Sequence, residues 1–211
     1  MNKTLFRHLR SIRKKILNLV TRMKYGRYAK ISQNTILSNC SFLRSGGGKN
    51  QILIGKNVRL NNCRFILESG VNNIIIGDNV YIDQSEFICS DGSIIIGDKS
   101  TFGSTQFMAR EGSSIKIGKD CMFSYNIKVF SCDGHPYYDK NGRRINSSKD
   151  INICEHVWVG NTAFILKGAY VPSGSIIGAG SIFSSFASEE SCIYAGNPAR
   201  CLRHEVRWER K

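Results

Sequence analysis

Histidine is scarce in this 211-residue chain, with four at positions 8, 135, 156 and 204, and proline is scarcer, with three. The eight cysteines (40, 63, 89, 121, 132, 154, 192 and 201) contain no Cys-x-x-Cys pair. That spacing argues against a zinc ribbon and against a disulfide framework, so they read as reduced thiols, mostly small apolar packing residues. No apolar run approaches the roughly 20 residues needed to cross a bilayer. Nor is there an uninterrupted signal-peptide core, because Arg7, Arg10, Arg13, Lys14 and Lys15 break it up. A cytoplasmic location is the default expectation. Acid is absent from residues 1–30, which carry ten Lys/Arg, so of a net charge of +14 only about +4 is left for the remainder. The basic character belongs to an arm. Nucleic-acid binding has no recognition motif to support it.

What is present is a repeat. Ile153, Val159, Ile165, Val171, Ile177 and Phe183 follow one another at intervals of six, and a small or β-branched residue (Val157, Ala163, Ala169, Ser175, Ser181) stands four places after each of the first five. Six matches no helical period. It matches a short strand plus a tight turn, repeated around a three-sided prism with the aliphatic residue inside and the small one at the narrow turn. Upstream, Ile52-Leu-Ile-Gly55, Ile74-Ile-Ile-Gly77, Ile94-Ile-Ile-Gly97 and Ile115-Lys-Ile-Gly118 recur at 20 to 22 residues, each one coil with extra turn residues. The register runs on through Phe123 and Val129, breaks, and resumes at Ile153, 36 residues after Ile117. One coil of about 18 residues accounts for half of that interval. An excursion over 132–150 accounts for the rest, and long loops on rigid scaffolds commonly carry chemistry.

The expected organisation is a basic arm over 1–30, an all-β parallel β-helix over 31–196 with the 132–150 insertion, and a short tail over 197–211. Within the arm, Leu5, Leu9, Ile12, Ile16, Leu19 and Met23 mark an amphipathic helix with Arg and Lys on its other faces. One reading makes it a cap over the open end of the solenoid. The other is a membrane-surface or anionic-polymer contact, which would place the protein peripherally at the inner membrane surface.

Four motifs lie on this repeat: Asp133-Gly-His-Pro136, Val157-Trp-Val-Gly-Asn161, Ile177-Gly-Ala-Gly-Ser181 and Ala195-Gly-Asn-Pro-Ala-Arg200. In these the chain resembles the hexapeptide-repeat acyltransferases, and among them the sugar and polysaccharide O-acetyltransferases, over about residues 50–203. The resemblance implies a left-handed β-helix, a homotrimer, acetyl-CoA as co-substrate, no metal and a carbohydrate hydroxyl as acceptor. Such transfer needs a base for the hydroxyl proton, donors for the tetrahedral oxyanion and a slot for the CoA arm.

His135 is the expected base, since imidazole titrates near working pH. Its orienting partner is left open between Asp133, Asp139, Glu155 and a backbone carbonyl. His156 reads as a solvated turn residue. By the same resemblance Trp158 walls the acceptor or thioester, unless it packs at a subunit interface. The Asn161 backbone N–H meets the thioester oxygen, and Gly160 permits the close approach. Ala179 and Gly180 offer backbone groups to pantetheine. Ser184 and Ser185 stand where the family often has a lysine, leaving Ser185 as a neutral contact to CoA and Arg200 and Arg203 as the phosphate candidates. In the insertion Asp133, Tyr137 and Arg144, with Tyr138, Lys140, Arg143 and Lys149 nearby, are the acceptor candidates. The basic loop and arm point to an anionic polysaccharide or a lipid-linked glycan.

Rival readings are an N-acetyltransferase acting on an amino sugar or antibiotic, and a solenoid without chemistry. A γ-type carbonic anhydrase needs three histidine ligands, and a serine acetyltransferase a larger helical domain, so neither fits.

Overall fold

The computed structural model describes residues 3–210, apart from the side chains of residues 3–10, Lys14 and Asn18. The aliphatic periodicity becomes three parallel sheets wrapped around one axis. Each coil contributes one strand to each face, so strands three apart in sequence are neighbours in space. The first face begins at Lys30–Ile31 and the third ends at Ile182–Phe183, seven strands each; the second carries nine, from Ile36–Ser38 to the C-terminal Ala199–Arg203.

The register is the expected one. Ile52, Ile74, Ile94, Ile115 and Ile151 stand in line, and Ile117 pairs with Ile153 across the excursion. The six-residue series is buried throughout, together with its small partners Val157, Ala163, Ala169, Ser175 and Ser181.

Two local features set the coil geometry. Corners turn through left-handed backbone, held by Asn34, Asn39, Asn57, Asn62, Asn79 and Asn126 at φ between 51° and 59°, a region asparagine tolerates because its short side chain bonds locally. These side chains also ladder between coils, Asn39 donating to Asn62 at 2.8 Å. The glycine closing each Ile-x-Ile-Gly run is set by stacking, since a Cβ on Gly97 would lie 2.5 Å from the Gly118 carbonyl carbon one coil on. Inside the third face, Phe42, Phe65, Phe87 and Phe107 stack at centroid spacings of 4.7, 4.7 and 5.0 Å.

The arm forms the helix Lys3–Tyr25. It touches the prism through its last turn: Tyr25 lies 5.6 Å from Phe42, and the Thr21 hydroxyl accepts the Leu37 N–H at 3.4 Å. Ile12, Ile16, Leu19, Val20 and Met23 are exposed. At about 100° per residue they fall on the side of the helix opposite Thr21 and Tyr25. Such contact with the prism as the capping reading requires is thus made by Thr21 and Tyr25 and not by Ile12, Ile16, Leu19 or Met23 of the stripe. Leu5 and Leu9 lie outside the described side chains.

Candidate active site

The chain leaves the third face at Phe130 and re-enters the first at Ile151, so residues 131–150 form a loop on one corner of the prism. Its neck is closed by the Lys149 N–H on the Ser131 carbonyl, and a single antiparallel bridge joins Tyr138 to Arg144. Asn146, 2% exposed, organises the rest. Its amide donates to the His135 carbonyl at 2.8 Å and to Asp133 at 3.0 Å, while its oxygen accepts the Tyr137 N–H at 2.9 Å. One buried side chain therefore fixes the backbone just after His135 and ties it to the Asp133 carboxylate.

The carboxylates considered as partners for His135 are engaged elsewhere. Asp133 accepts from Lys167 as well as Asn146. Asp139 accepts the Asn141 and Arg143 N–H groups of the loop's own turn, and Glu155 pairs with Lys119. Partial burial would raise the Asp133 carboxyl, but the Lys167 ammonium and the Asn146 amide outweigh it and hold the group below the usual range. His135 itself is exposed. Arg144 makes a two-pronged pair with Glu111 at 2.8 Å, and Ser148 donates to the same carboxylate. Those bonds hold Glu111 below its ordinary range. Arg144 thus anchors the loop, whereas Tyr137 and Tyr138 are exposed.

A second corner lies between the second and third faces. Trp158 is on the strand Trp158–Val159 of the second face, paired with Met122 and Ile176. It is half-buried, and its indole N–H is buried without a partner among the described residues. Gly160 is explained by stacking: a Cβ there would lie 2.6 Å from the Ala179 nitrogen. Asn161 is exposed at the corner, and its carbonyl accepts the Gly180 N–H at 2.8 Å. Its own N–H enters no hydrogen bond among the described residues, as an oxyanion donor requires. Gly180 has committed its N–H to Asn161, so its carbonyl is the group left to offer; Ala179 beside it is exposed.

Further along, Ser185 and Arg200 share an open groove of about 330 Å³ with Phe186, Glu189 and Tyr194. Arg203 is exposed at the end of the hairpin Ile193–Gly196 and Ala199–Arg203.

His156 is not the solvated turn residue expected. It does turn a corner at φ 55°, but its Nδ1 lies 2.7 Å from Asp120, its Nε2 lies 3.2 Å from the Trp208 carbonyl, and its ring stacks on Trp208 at 4.1 Å. Arg210 adds bonds to Asp120, Thr101 and the Cys121 carbonyl. The last residues are laid back along the second face, and the buried Trp208 ring stands 6.3 Å from Trp158. Sequence reasoning missed Asn146, Lys167, Glu111 and Trp208. Only Trp208 carried a signal, as an aromatic within a charged stretch.

A three-sided parallel β-helix with one histidine-bearing loop and a Trp-Val-Gly-Asn corner defines a hexapeptide-repeat acyltransferase. A comparison with protein-family models finds no match. Among curated proteins the chain is 33% identical over 181 residues to a polysialic acid O-acetyltransferase of Neisseria meningitidis, covering 84% of this chain and 83% of that one. It is 28% identical to a galactoside O-acetyltransferase of Escherichia coli, covering 61% and 62%. The solved polysialic acid O-acetyltransferase OatWY superposes with a TM-score of 0.65 at 30% identity, covering 83% of this chain and 92% of that one. The chain belongs to this family of left-handed β-helix O-acetyltransferases and is an acyltransferase.

Proposed function

We propose that the chain transfers an acetyl group from acetyl-CoA to a hydroxyl of an acidic capsular or cell-surface polysaccharide, in a homotrimer whose sites lie between neighbouring β-helices. The observation that carries this reading is the placement of the two corners. The loop bearing His135 joins the fifth coil to the sixth, and Trp158, Gly160 and Asn161 belong to that sixth coil, on a different corner of the same prism. A threefold axis parallel to the prism preserves height, so the two corners of adjacent copies would meet at one level.

In that cleft the His135 imidazole takes the hydroxyl proton as the oxygen attacks the thioester carbonyl. The Asn161 N–H holds the resulting oxyanion. Collapse breaks the C–S bond, and the protonated His135 returns its proton to the leaving thiolate. Ala179, the Gly180 carbonyl, Ser185, Arg200 and Arg203 line the remaining path for CoA. The named substrates of the relatives are an acidic polymer and a galactoside, and the basic arm favours the former. The N-acyltransferase AntD of Bacillus cereus shares only the fold at 16% identity and a TM-score of 0.54, so amide formation has no specific support.

Labelled acetyl-CoA supplied with matched acidic and neutral oligosaccharides tests the reading on the purified chain. Transfer is expected with kcat/KM higher for the acidic acceptor, the advantage shrinking as salt rises, and light scattering should give the mass of a trimer. No transfer to any hydroxyl, or a monomer with full activity, would overturn it.

The arm supports a peripheral membrane position. Its exposed stripe of Ile12, Ile16, Leu19, Val20 and Met23 points away from the prism and is flanked by Arg13, Lys15, Arg22 and Lys24, the pattern of a helix lying in an anionic interface. Sedimentation with vesicles should retain the chain on anionic lipid and release it when Ile16 and Leu19 are both changed to Ser. Equal retention of the two proteins would sink this assignment.

A further inference from the structure

The C-terminal hairpin brings together side chains that are far from adjacent in the usual metal motifs. Cys192 precedes its first strand, Cys201 lies on its second, and His204 follows directly after it. The hairpin pairs Tyr194 with Cys201 and so folds position 192 back against 201 and 204. The Cys192 sulfur lies 3.5 Å from the His204 ring at Nδ1, the Cys201 sulfur lies 3.7 Å from the same ring at Nε2, and all three ligand atoms fall within 4.8 Å of one another.

A zinc ion with Zn–S near 2.3 Å and Zn–N near 2.0–2.1 Å in tetrahedral geometry sets its sulfur and nitrogen ligands about 3.6 Å apart. The Cys201–Nε2 spacing matches that edge, while the 3.5 Å of Cys192 runs to the other ring nitrogen, which faces Glu189. A carboxylate completes the pattern, since Glu189 lies 2.7 Å from His204 Nδ1. Metal-bound imidazoles characteristically hand their second nitrogen to such a group. In the metal-bound form Nε2 is then the ligating atom, and the fourth position falls to water.

We infer that Cys192, Cys201 and His204, with Glu189 orienting the imidazole, form a binding site for zinc or a similarly thiophilic divalent cation. The spacing Cys-x8-Cys-x2-His has no Cys-x-x-Cys signature, which is why the cysteine arithmetic pointed away from a metal. The site clasps the hairpin that carries Arg200 and Arg203, beside the groove lined by Ser185, Glu189 and Arg200. Its role is structural: it fastens the hairpin that covers the second-face strand Ile176–Ile177 of the last coil.

The test uses the full-length chain without a histidine tag, purified under reducing conditions and equilibrated with zinc alone or cobalt(II) alone. Elemental analysis is expected to find about one zinc per chain, and the cobalt form should show intense thiolate-to-metal charge transfer with tetrahedral d–d bands. Cys201→Ser and His204→Gln, both at partly or fully exposed positions and so able to fold, should each lower zinc affinity by about ten- to a hundredfold or more. Circular dichroism should match the parent. Substoichiometric zinc in the parent, a cobalt form without thiolate charge transfer, or unchanged affinity in both variants would overturn the site. A Cys192–Cys201 disulfide in the reduced preparation would do the same.

Discussion

Changing His135 to Ala is expected to lower kcat by about a hundredfold or more, the usual scale for a lost general base, while acetyl-CoA binds with unchanged affinity. The loop should survive the change. Asn146 grips the carbonyl of residue 135 and the N–H of Tyr137, and neither bond involves the imidazole. The Lys167–Asp133 and Arg144–Glu111 pairs also remain. The loss should therefore appear in turnover and leave the melting temperature nearly where it was. At about 1.4 kcal/mol per factor of ten, a hundredfold corresponds to about 3 kcal/mol of transition-state stabilisation. Single-turnover transfer from acetyl-CoA to an acceptor glycan, alongside calorimetric titration with CoA, measures both quantities. Turnover within about threefold of the parent would remove His135 from the mechanism. Loss of CoA affinity in the same proportion would instead make it a binding residue.

The coils were readable because the inside of a prism imposes one rule on every turn. A residue that points inward must be apolar, and the corner beside it must be narrow, so Ile153 through Phe183 display the period without help from their surroundings. The excursion was readable for the converse reason, since it interrupts that rule and restores it at Ile153. The interior of the loop obeys no period. Asn146 looks like any loop asparagine, and its several hydrogen bonds become visible only once Asp133, His135 and Tyr137 are wrapped around it. Lys167 and Glu111 belong to coils on either side of the loop, and their role depends on stacking that sequence separation conceals. His156 was misread because its partner Trp208 comes from the last residues of the chain, 52 positions away, as does Arg210, which holds the Asp120 carboxylate that His156 meets. Local pattern reports the scaffold well. Contacts made when distant segments fold onto it leave no local trace.

Phe87→Ala is expected to give the largest loss of stability. Its ring is fully buried and sits mid-ladder, 4.7 Å from Phe65 and 5.0 Å from Phe107. Truncation removes the buried area of an aromatic ring and both stacking contacts, and the flanking coils are held in register by the Phe65–Phe87–Phe107 strand pairing, so they cannot close the cavity. A cost of about 3–5 kcal/mol is the range for such a change. At about 2–4 °C per kcal/mol for a chain of this size, the melting temperature should fall by roughly 6–20 °C. Solenoid coils contact chiefly their neighbours, and Phe87 lies three coils before the Trp158 coil. Below the melting transition kcat should therefore stay within about twofold of the parent. Differential scanning calorimetry together with transfer rates at low temperature separates the two effects. A shift of less than about 3 °C would mean that the ladder relaxes around the gap. A large loss of kcat in the folded variant would mean that strain passes along the prism to the acyl-transfer corner, contrary to the coil-by-coil independence assumed here.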